Sequence, residues 1–301
     1  PAKGFRPSLA SMILRVEDER GVRARLLEGP LDEIDYDGAL GSTNTNHGFP
    51  RYRSATFSAA YPFGTVHLSD RDMPDVELTG YNPYVPTDLS ASSIPAAILR
   101  YTIHNTGDHD IRASIAASFE NFVGANGTLN DTGTNENAYF ETDSLAGIRM
   151  SAPSLDPRHE ADGIFMFSTI RSGGLISHRT RWEDGPWGVR NLDFWDDFLA
   201  DGLLEERIAQ TARPIGSLTN EVTVPAGQSE EIIFVLTWNF PNRRAWRSDD
   251  YVDIHIGHYT DDVVGNYYSS LWGDPQATAE YVRDNLDDLT ERSRKATDAI
   301  V

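Results

Sequence analysis

The sequence predicts a mainly β protein, a large antiparallel two-sheet β-sandwich that ends in an amphipathic helix. Three observations lead to this fold class. Apolar and polar residues alternate in several short runs, which is the period of a half-buried strand. Prolines and turn residues separate these runs and are too frequent for long helices. Only after Asp274 does the apolar period change to that of a helix.

The first runs along the chain predict a hairpin at the edge of the β-domain. Residues 12–16 and 22–27 read M-I-L-R-V and V-R-A-R-L-L around an acidic turn. Residues 53–68 contain two further predicted strands, which Pro62 separates. Residues 29–50 are rich in glycine, serine, threonine and asparagine, so we expect an exposed loop or one that closes a cleft.

The clearest strand signal lies between residues 97 and 119. Leu99, Tyr101 and Ile103 share one face of a run that ends in the turn residues N-T-G-D. Beyond that turn, apolar side chains occupy every second position of residues 111–119. The sequence therefore predicts that the two runs pair as a hairpin and bury the same face.

Later segments predict more strands and one short helix. Residues 163–170 and 175–182 are predicted to pair around a Gly-Gly turn. A short helix is expected within residues 192–199. Residues 221–238 form a strand, a Pro-Ala-Gly turn and a longer apolar strand, which is a frequent closing element of β-sandwiches.

The C-terminal segment predicts one amphipathic helix. Asp274 suits the N-cap and Pro275 the first helical position. We therefore divide the chain into a β-sandwich domain, residues 1–273, and a C-terminal helix, residues 274–301. The apolar face of this helix contains Tyr281, Val282, Leu286 and Leu289.

The charge of the chain excludes some classes of partner. The formal net charge is −20, whereas nucleic acids and anionic membranes require a basic surface. Only Lys3 and Lys295 are lysines among the 26 basic residues. Two hypotheses account for this composition, a GC-rich genome that favours arginine codons or adaptation to high salt. Adaptation to salt predicts that the midpoint of thermal unfolding rises in molar KCl, and a flat or falling midpoint would contradict it.

The absence of cysteine limits the chemistry and the location of the protein. The sequence has no cysteine, which excludes disulfides, thiol nucleophiles and Cys-ligated zinc and fits a cytoplasmic location. No apolar run approaches the roughly 18 residues of a membrane span, and no signal segment opens the chain. The sequence begins Pro-Ala-Lys, so an N-terminus trimmed by processing stays open.

The sequence lacks familiar catalytic motifs, and two weaker pairs of candidate site residues remain. The sequence has no G-x-S-x-G, H-E-x-x-H, G-x-G-x-x-G or Walker lysine motif. Asp70 and Asp72 could act as paired carboxylates or bind a cation, but a structural or solvated position at a strand end is the favoured interpretation. His255 and His258 have a spacing found in metal sites, but no third ligand is evident. We expect neither a metal nor a cofactor.

Tryptophans and carboxylates occur together after residue 181. Ring faces and acids of this kind bind sugars, but buried aromatics of a core or domain interface give the same pattern. Residues 239–247, N-F-P-N-R-R-A-W-R, predict a binding loop or a clamp on a neighbouring domain. The candidate glycan or cleft contacts are Trp182, Trp187, Trp195, Trp246 and Arg247. The candidate interdomain contacts are Asn239, Asn242, Arg243, Tyr281, Leu286 and Leu289.

Five motifs together resemble one glycosidase family. They are Y-P-F-G-T-V-H-L-S-D at 61–70, P-Y-V-P-T-D-L-S-A-S-S-I-P-A-A-I-L-R-Y-T-I-H-N-T at 83–106, F-E-N-F-V-G at 119–124, W-D-D-F-L-A-D-G-L-L at 195–204 and T-W-N-F-P-N-R at 237–243. Their order and spacing resemble the N-terminal domain of glycoside hydrolase family 116. This family contains non-lysosomal glucosylceramidases and bacterial β-glucosidases. The sequence lacks the glycine-rich opening that is typical of the family.

The resemblance implies a supersandwich-like β-domain that precedes an (α/α)6 catalytic barrel. In the family, a nucleophilic glutamate and an acid/base aspartate lie in that barrel, which would follow residue 301. No position of this chain matches those motifs, so the resemblance implies a non-catalytic domain or subunit that supports the barrel and walls part of the glycoside cleft. The alternatives are a stand-alone carbohydrate-binding or assembly module and, less simply, a glycosidase that uses Asp70 and Asp72.

Overall fold

Alternating side chains arrange the chain into two antiparallel sheets. The computed structural model describes residues 9–32, 48–125, 134–185, 189–209, 211–243 and 263–299. Within these ranges the protein is a mainly β sandwich with helices toward its C-terminus, as the sequence predicts. The residues that lie outside them include the candidate positions Trp187, Trp246, Arg247, His255 and His258.

The smaller sheet has five strands in the described part of the chain. In spatial order these strands are β11 (Ile176–Arg179), β12 (Ile215–Val224), β7 (Ile111–Glu120), β1 (Ala10–Asp18) and β2 (Gly21–Leu26). The predicted first hairpin is confirmed, because β1 and β2 pair from Ile13 opposite Leu26 to Asp18 opposite Gly21. Its predicted edge position is confirmed too, since β2 is the last strand of this sheet.

The larger sheet has eight strands within the same described ranges. In spatial order they are β3 (Ser54–Ala60), β4 (Phe63–Ser69), β5 (Asp75–Tyr81), β6 (Ala96–His104), β13 (Ser229–Asn239), β10 (Ile164–Ile170), β9 (Leu145–Ser151) and β8 (Glu136–Glu141). The two strands predicted within residues 53–68 are β3 and β4, which pair around Pro62.

Short helices cover the outer faces of the two sheets. The helices are α1 (Leu89–Ser92), α2 (Val189–Asp201), α3 (Pro275–Asp284) and α4 (Leu286–Asp298), and a 3₁₀ helix spans Tyr267–Ser270. The short helix predicted within residues 192–199 is therefore confirmed, as the central part of α2. None of the helices in the described ranges is both long and apolar enough to cross a membrane.

Three apolar clusters hold these layers together. The main core lies between the sheets, where Leu14, Ile115 and Phe234 are fully buried. A second cluster packs Phe194 and Phe198 of α2 on the outer face of the five-stranded sheet. A third packs α3 and α4 on the outer face of the eight-stranded sheet. Most strands therefore bury side chains on both faces.

The predicted pairing of residues 97–103 with residues 111–119 is wrong. Both runs are strands, but β6 pairs with β5 and β13, whereas β7 pairs with β1 and β12 in the other sheet. Residues 105–110, which join β6 to β7, therefore cross between the sheets, as do the residues that join β12 to β13. The side-chain Nδ2 of Asn105 links the two crossings, because it donates to the carbonyl oxygens of Val224 (3.0 Å) and Pro225 (3.2 Å). A period of two shows which residues face the core. It does not distinguish neighbouring strands from strands that face each other across the core.

The predicted strand pair around Gly173 and Gly174 is also wrong. β10 lies in the eight-stranded sheet and β11 in the five-stranded sheet, so the two glycines lie in a crossing between sheets. A Cβ atom on Gly174 would overlap the carbonyl oxygen of Glu221. Glycine is needed here for close approach of two backbones, and the sequence alone does not separate this requirement from that of a tight turn.

The predicted single C-terminal helix is two helices. Asp274 caps α3 through a 2.9 Å bond to the Gln276 amide, and Pro275 is its first residue, as predicted. Asn285 then leaves the helical conformation, and its Nδ2 donates to the carbonyl oxygen of Tyr281 (2.8 Å). Asparagine competes for backbone hydrogen bonds in this way, which weakens a helix interior and places a break where the apolar period continues.

Candidate functional site

The connections between strands differ sharply between the two ends of the sandwich. At one end, which we call the turn end, six connections of at most six residues join the strands. They are residues 19–20, 70–74, 105–110, 142–144, 171–175 and 225–228. At the opposite end, the loop end, connections of twelve or more residues span 82–95, 121–135, 152–163 and 180–214, and residues 240–274 follow β13. Residues 61–62, between β3 and β4, form a short connection at this end. Residues 27–53 separate the end of β2, at the loop end, from the start of β3, at the turn end. Binding surfaces usually form on long connections carried by a rigid scaffold.

A buried asparagine network forms the floor of the loop end. Asn121, which follows β7, is fully buried. Its Nδ2 donates to the carbonyl oxygens of Glu136 and Ser151 (both 3.1 Å) and to Asn137 Oδ1 (2.9 Å). Its Oδ1 accepts from the Val123 amide (3.1 Å). The network joins the two sheets through satisfied polar groups, which are strongly stabilising because any unpaired member would be buried.

The segment after β13 is bonded to the sandwich by its asparagines. Asn239 Nδ2 donates to the carbonyl oxygen of Gly273 (2.7 Å), and Asn242 Nδ2 donates to those of Pro157 (2.7 Å) and His159 (2.9 Å). These two candidate interdomain residues therefore position the loop itself. The side chain of Arg243 is exposed.

Trp182 lies inside the domain rather than on its surface. It is 2% exposed, stacks on Phe194 with ring centroids 4.3 Å apart, and donates from Nε1 to Ser217 Oγ (2.7 Å). Trp195 is half-buried and stacks on Phe49 at 5.4 Å. The aromatic part of the Trp182 candidate site thus packs α2 against the five-stranded sheet.

The carboxylates near Trp182 hold a buried arginine. Arg179 of β11 is fully buried and donates to Asp193 (2.6 Å) and Asp197 (2.7 Å), both on α2. Its Nε donates to the carbonyl oxygen of Glu205 (2.8 Å), and Arg207 contacts the same two aspartates. The two acids are thus counterions of arginines and fasten α2 to the five-stranded sheet.

A second buried arginine binds the other end of α2. Arg15 of β1 donates to the carbonyl oxygens of Leu199 (2.9 Å) and Ala200 (3.2 Å) in the last turn of the helix. This contact satisfies free carbonyl groups and complements the negative end of the helix dipole. Hydrogen bonds from Arg112 and Arg15 lower the pKa of Glu17 beside them. Helix α2 is therefore fixed to the sheet by Arg179 along its length and by Arg15 at its C-terminal end.

The C-terminal helices lie against the loop end. Thr290 Oγ1 of α4 contacts Tyr81 Oη (2.6 Å), and Thr297 Oγ1 donates to the carbonyl oxygen of Tyr61 (2.9 Å). Of the candidate interdomain residues on these helices, Leu289 is fully buried against the sheet, Leu286 is half-buried and Tyr281 is 38% exposed. Tyr281 remains the one of these three whose side chain is well placed to meet another domain.

The loop end also carries exposed apolar side chains that the sequence analysis did not select. Tyr61 is 66% exposed and meets Tyr84 edge-on, with ring centroids 5.1 Å apart. Leu89 and Tyr267 are exposed to a similar degree. The sequence gives one indication of this surface. Residues 78–99, which include Tyr84 and Leu89, contain only one charged residue, Asp88, in a strongly charged chain. Exposed apolar groups on one end of a domain are typical of interaction surfaces.

The same region contains strained backbone. Thr87 adopts a φ of 69°, which is rare for a β-branched residue. Asp88 follows it, caps α1 through the Ala91 amide (2.9 Å) and forms an ion pair with Arg292 of α4. Such strain persists only where surrounding contacts impose it, and it is common at functional surfaces.

The predicted carboxylate pair at the turn end is not arranged for catalysis. The side chain of Asp70 is fully buried, with its Oδ2 3.8 Å from both Arg25 Nε and Arg53 Nε, whereas Asp72 is half exposed. Asp70 Oδ1 accepts from the Asp72 amide (3.1 Å), which is a turn interaction. Within the described ranges, no group of three or more histidines and acids is arranged to hold a metal ion.

One edge of the sandwich contains titratable groups in contact. The Tyr139 ring of β8 stacks on the His178 ring of β11 with centroids 3.6 Å apart, which joins the edges of the two sheets. Burial lowers the pKa of His178, although Glu206 and Glu141 act in the opposite direction. Burial and a hydrogen bond to Glu141 raise the pKa of Tyr139 to about 12. This stack is neutral near pH 7 and closes the sandwich on that side.

The fold defines a class of protein, a large two-sheet β-sandwich domain with its long connections at one end. Comparison with known families identifies it further. A family model described as "beta-glucosidase 2, glycosyl-hydrolase family 116 N-term" matches residues 9–290, and the chain belongs to this family. The resemblance stated from the five motifs is thereby confirmed.

The similarity to solved structures is remote. A protein assigned as a kojibiose phosphorylase from the human microbiome superposes with a TM-score of 0.40 and 9% identity, over 95% of this chain and 27% of its own. A polysaccharide lyase superposes with a TM-score of 0.40 and 12% identity, over 77% of this chain and 26% of its own. The present chain spans about a quarter of the length of each protein.

Proposed function

We propose that this chain is the non-catalytic N-terminal domain or subunit of a family 116-like β-glucosidase or glucosylceramidase. In this role it supports an (α/α)6 catalytic domain and walls part of the glycoside-binding cleft. The family match over residues 9–290 carries the proposal. A retaining glycosidase needs two carboxyl groups about 5 Å apart in an accessible cleft, and the candidates near Trp182 and at Asp70 are instead held by arginines.

The loop end is the proposed surface for the helical domain. It combines the exposed side chains of Tyr61, Leu89 and Tyr267 with the anchored segment that leads to Arg243. Side chains exposed in this way gain free energy when a partner covers them. Tyr281 and Arg243 are the proposed interdomain contacts at its margins. A cytoplasmic location, which the absence of cysteine favours, is part of the same proposal.

Co-purification from the native source tests the proposal. A helical glycosidase should accompany this chain, either in the same polypeptide or as a bound subunit, and the assembly should hydrolyse an aryl-β-glucoside. The Y61D/L89D variant should weaken that association or destabilise the assembly. The V22D/L175D variant adds the same charges at exposed turn-end positions and should behave like the wild type. A chain that occurs alone, with no helical partner, would contradict the proposal.

The second candidate function is a stand-alone carbohydrate-binding or assembly module. The exposed edge-on pair of Tyr61 and Tyr84 favours it, because tyrosine rings bind the apolar faces of sugars. Affinity electrophoresis in gels that contain a soluble β-glucan distinguishes the two functions. Retardation of the isolated chain that the Y61A variant abolishes, together with the absence of a helical partner, would support the module.

A further inference from the structure

Strand β3 is an unusual edge strand for so acidic a protein. In the described part of the chain it pairs with β4 alone, so none of the described strands hydrogen-bonds to its other edge. All seven of its residues, S-A-T-F-S-A-A, are exposed. Native sheets protect such an edge with charges, prolines or bulges, yet the hairpin from residue 54 to residue 66 contains no charged side chain.

The uncharged hairpin can approach a second copy of the chain where most of the surface cannot. Each copy has a net charge of −20, so two copies repel each other when their acidic surfaces meet. When residues 54–66 of two copies meet, none of these side chains opposes another of the same charge, because none of them is charged. The uncharged hairpin can therefore contact a partner that is as acidic as this chain, and a second copy is one such partner.

The geometry of β3 also suits a twofold axis. An antiparallel edge is complementary to itself, since the same row of donors and acceptors repeats after a half-turn. Phe57 is the central residue of β3, and its side chain is 70% exposed. A register centred on Phe57 pairs all seven residues of both strands and sets the two Phe57 rings against each other, where they lose exposed apolar area.

We propose that two copies of this chain form a homodimer through antiparallel pairing of their β3 strands, centred on Phe57. The two eight-stranded sheets then form one continuous sheet. The proposed interface uses β3 itself, Ser54–Ala60, and not Tyr61, which follows β3 and belongs to the proposed docking surface. A single pair of strands forms a small interface, so we expect dissociation at micromolar concentrations. Salt should favour the dimer, because it screens the repulsion between two acidic copies.

Sedimentation velocity of the full chain over a concentration series tests this dimer. In the proposed register Thr56 faces Ser58 of the other copy. The T56D/S58D variant places like charges across the axis and should weaken association about tenfold. The T56K/S58D variant places opposite charges across the same axis and should retain the dimer. The L192D/I208D variant adds two charges at exposed positions elsewhere and controls for net charge, and circular dichroism verifies that each variant is folded.

Each possible outcome decides for or against the interface. Loss of the dimer in T56D/S58D, with retention in T56K/S58D and in the control, supports it. A wild-type chain that sediments as a monomer at about 100 µM in high salt, well above the expected dissociation range, overturns it. A dimer that persists in T56D/S58D places the interface elsewhere and also overturns the proposal. So does hydrogen exchange that shows β3 protected by a helical companion in a monomeric assembly.

Discussion

The turn end and the loop end are built from the same strands but are stabilised by different means. At the turn end, short connections are joined by ion pairs, such as those of Asp18 with Arg20 and Arg23, and by the side chain of Asn105. At the loop end, long connections are held by the Asn121 network and by helices α2 and α4. The first end only joins the strands. The second end carries exposed apolar groups among its described residues.

This difference indicates where substitutions are costly. A long connection is entropically expensive to order, so its anchors must contribute more free energy than those of a short turn. Buried anchors such as Arg179 and Asn121 meet this requirement, because an unsatisfied buried group costs more than an exposed ion pair gains. We therefore expect the loop end to be more sensitive to loss of a single polar side chain.

The largest effect is expected for Arg179→Met. The substitution removes the fully buried counterion of Asp193 and Asp197, which keep only the partly exposed Arg207. Loss of one partner from a buried pair costs about 3–5 kcal/mol. Urea denaturation should show this loss. The triple variant with Asp193→Asn and Asp197→Asn should recover part of it. Arg20→Met at the turn end is the matched control and should cost less than about 1 kcal/mol, because Arg20 is exposed and Arg23 also binds Asp18.

The next effect is expected for Asn121→Ala. This change leaves Asn137 Oδ1 and the Val123 amide without a buried partner, and it should lower the free energy of unfolding by about 3 kcal/mol. Amide hydrogen exchange should accelerate selectively in residues 134–137. A uniform acceleration across both ends of the sandwich would contradict the localised role of the network.

A smaller effect is expected for Asn105→Ala at the turn end. Asn105 Nδ2 donates to carbonyl oxygens in two crossings between the sheets, and its Oδ1 accepts from the Gly107 amide (3.1 Å). The turn is short and partly exposed, so water replaces part of what is lost, and we expect a cost of about 1–2 kcal/mol. If Asn105→Ala destabilises the protein as much as Asn121→Ala does, the proposed contrast between the ends is wrong.

The smallest effect concerns pH and the edge that joins the two sheets. Because burial lowers the pKa of His178 in the folded state, the unfolded chain binds a proton there more readily. Well above the usual histidine pKa of about 6.5, neither the folded nor the unfolded chain binds this proton, so protonation of His178 does not affect the free energy of unfolding. As pH falls through that value, the folded state should lose stability. His178→Phe keeps the stack on Tyr139 and should flatten the slope between about pH 7 and pH 5, whereas equal slopes in both proteins would contradict this assignment.

Sequence reasoning located the strands well because burial periodicity is a local property. The alternation of Leu99, Tyr101 and Ile103 and the cap formed by Asp274 each depend on neighbours in the chain. Pairing was a different problem. The runs before and after Asn105 entered different sheets, and the glycines at 173 and 174 belonged to a crossing between sheets. The same local pattern is compatible with both arrangements.

The candidate site shows the same limit. Trp182 and the aspartates of α2 were selected because their residue types resemble a sugar site, whereas a buried arginine from β11 holds the aspartates and Trp182 packs in a core. Tyr61 and Tyr84 were not selected, because they are far from α4 in the sequence and meet it only in the fold. Contacts of this kind have no local signature.

The sequence by itself determined the family, the β class, the acidic surface and the absence of thiol chemistry, because motifs and composition are read along the chain. Only the tertiary structure decided that β6 and β7 face each other across the core, that long connections gather at one end and that Arg179 uses the acids near Trp182. The physical reason is that burial depends on what approaches from distant parts of the chain. A charged or aromatic residue is a binding group when exposed and an anchor when covered.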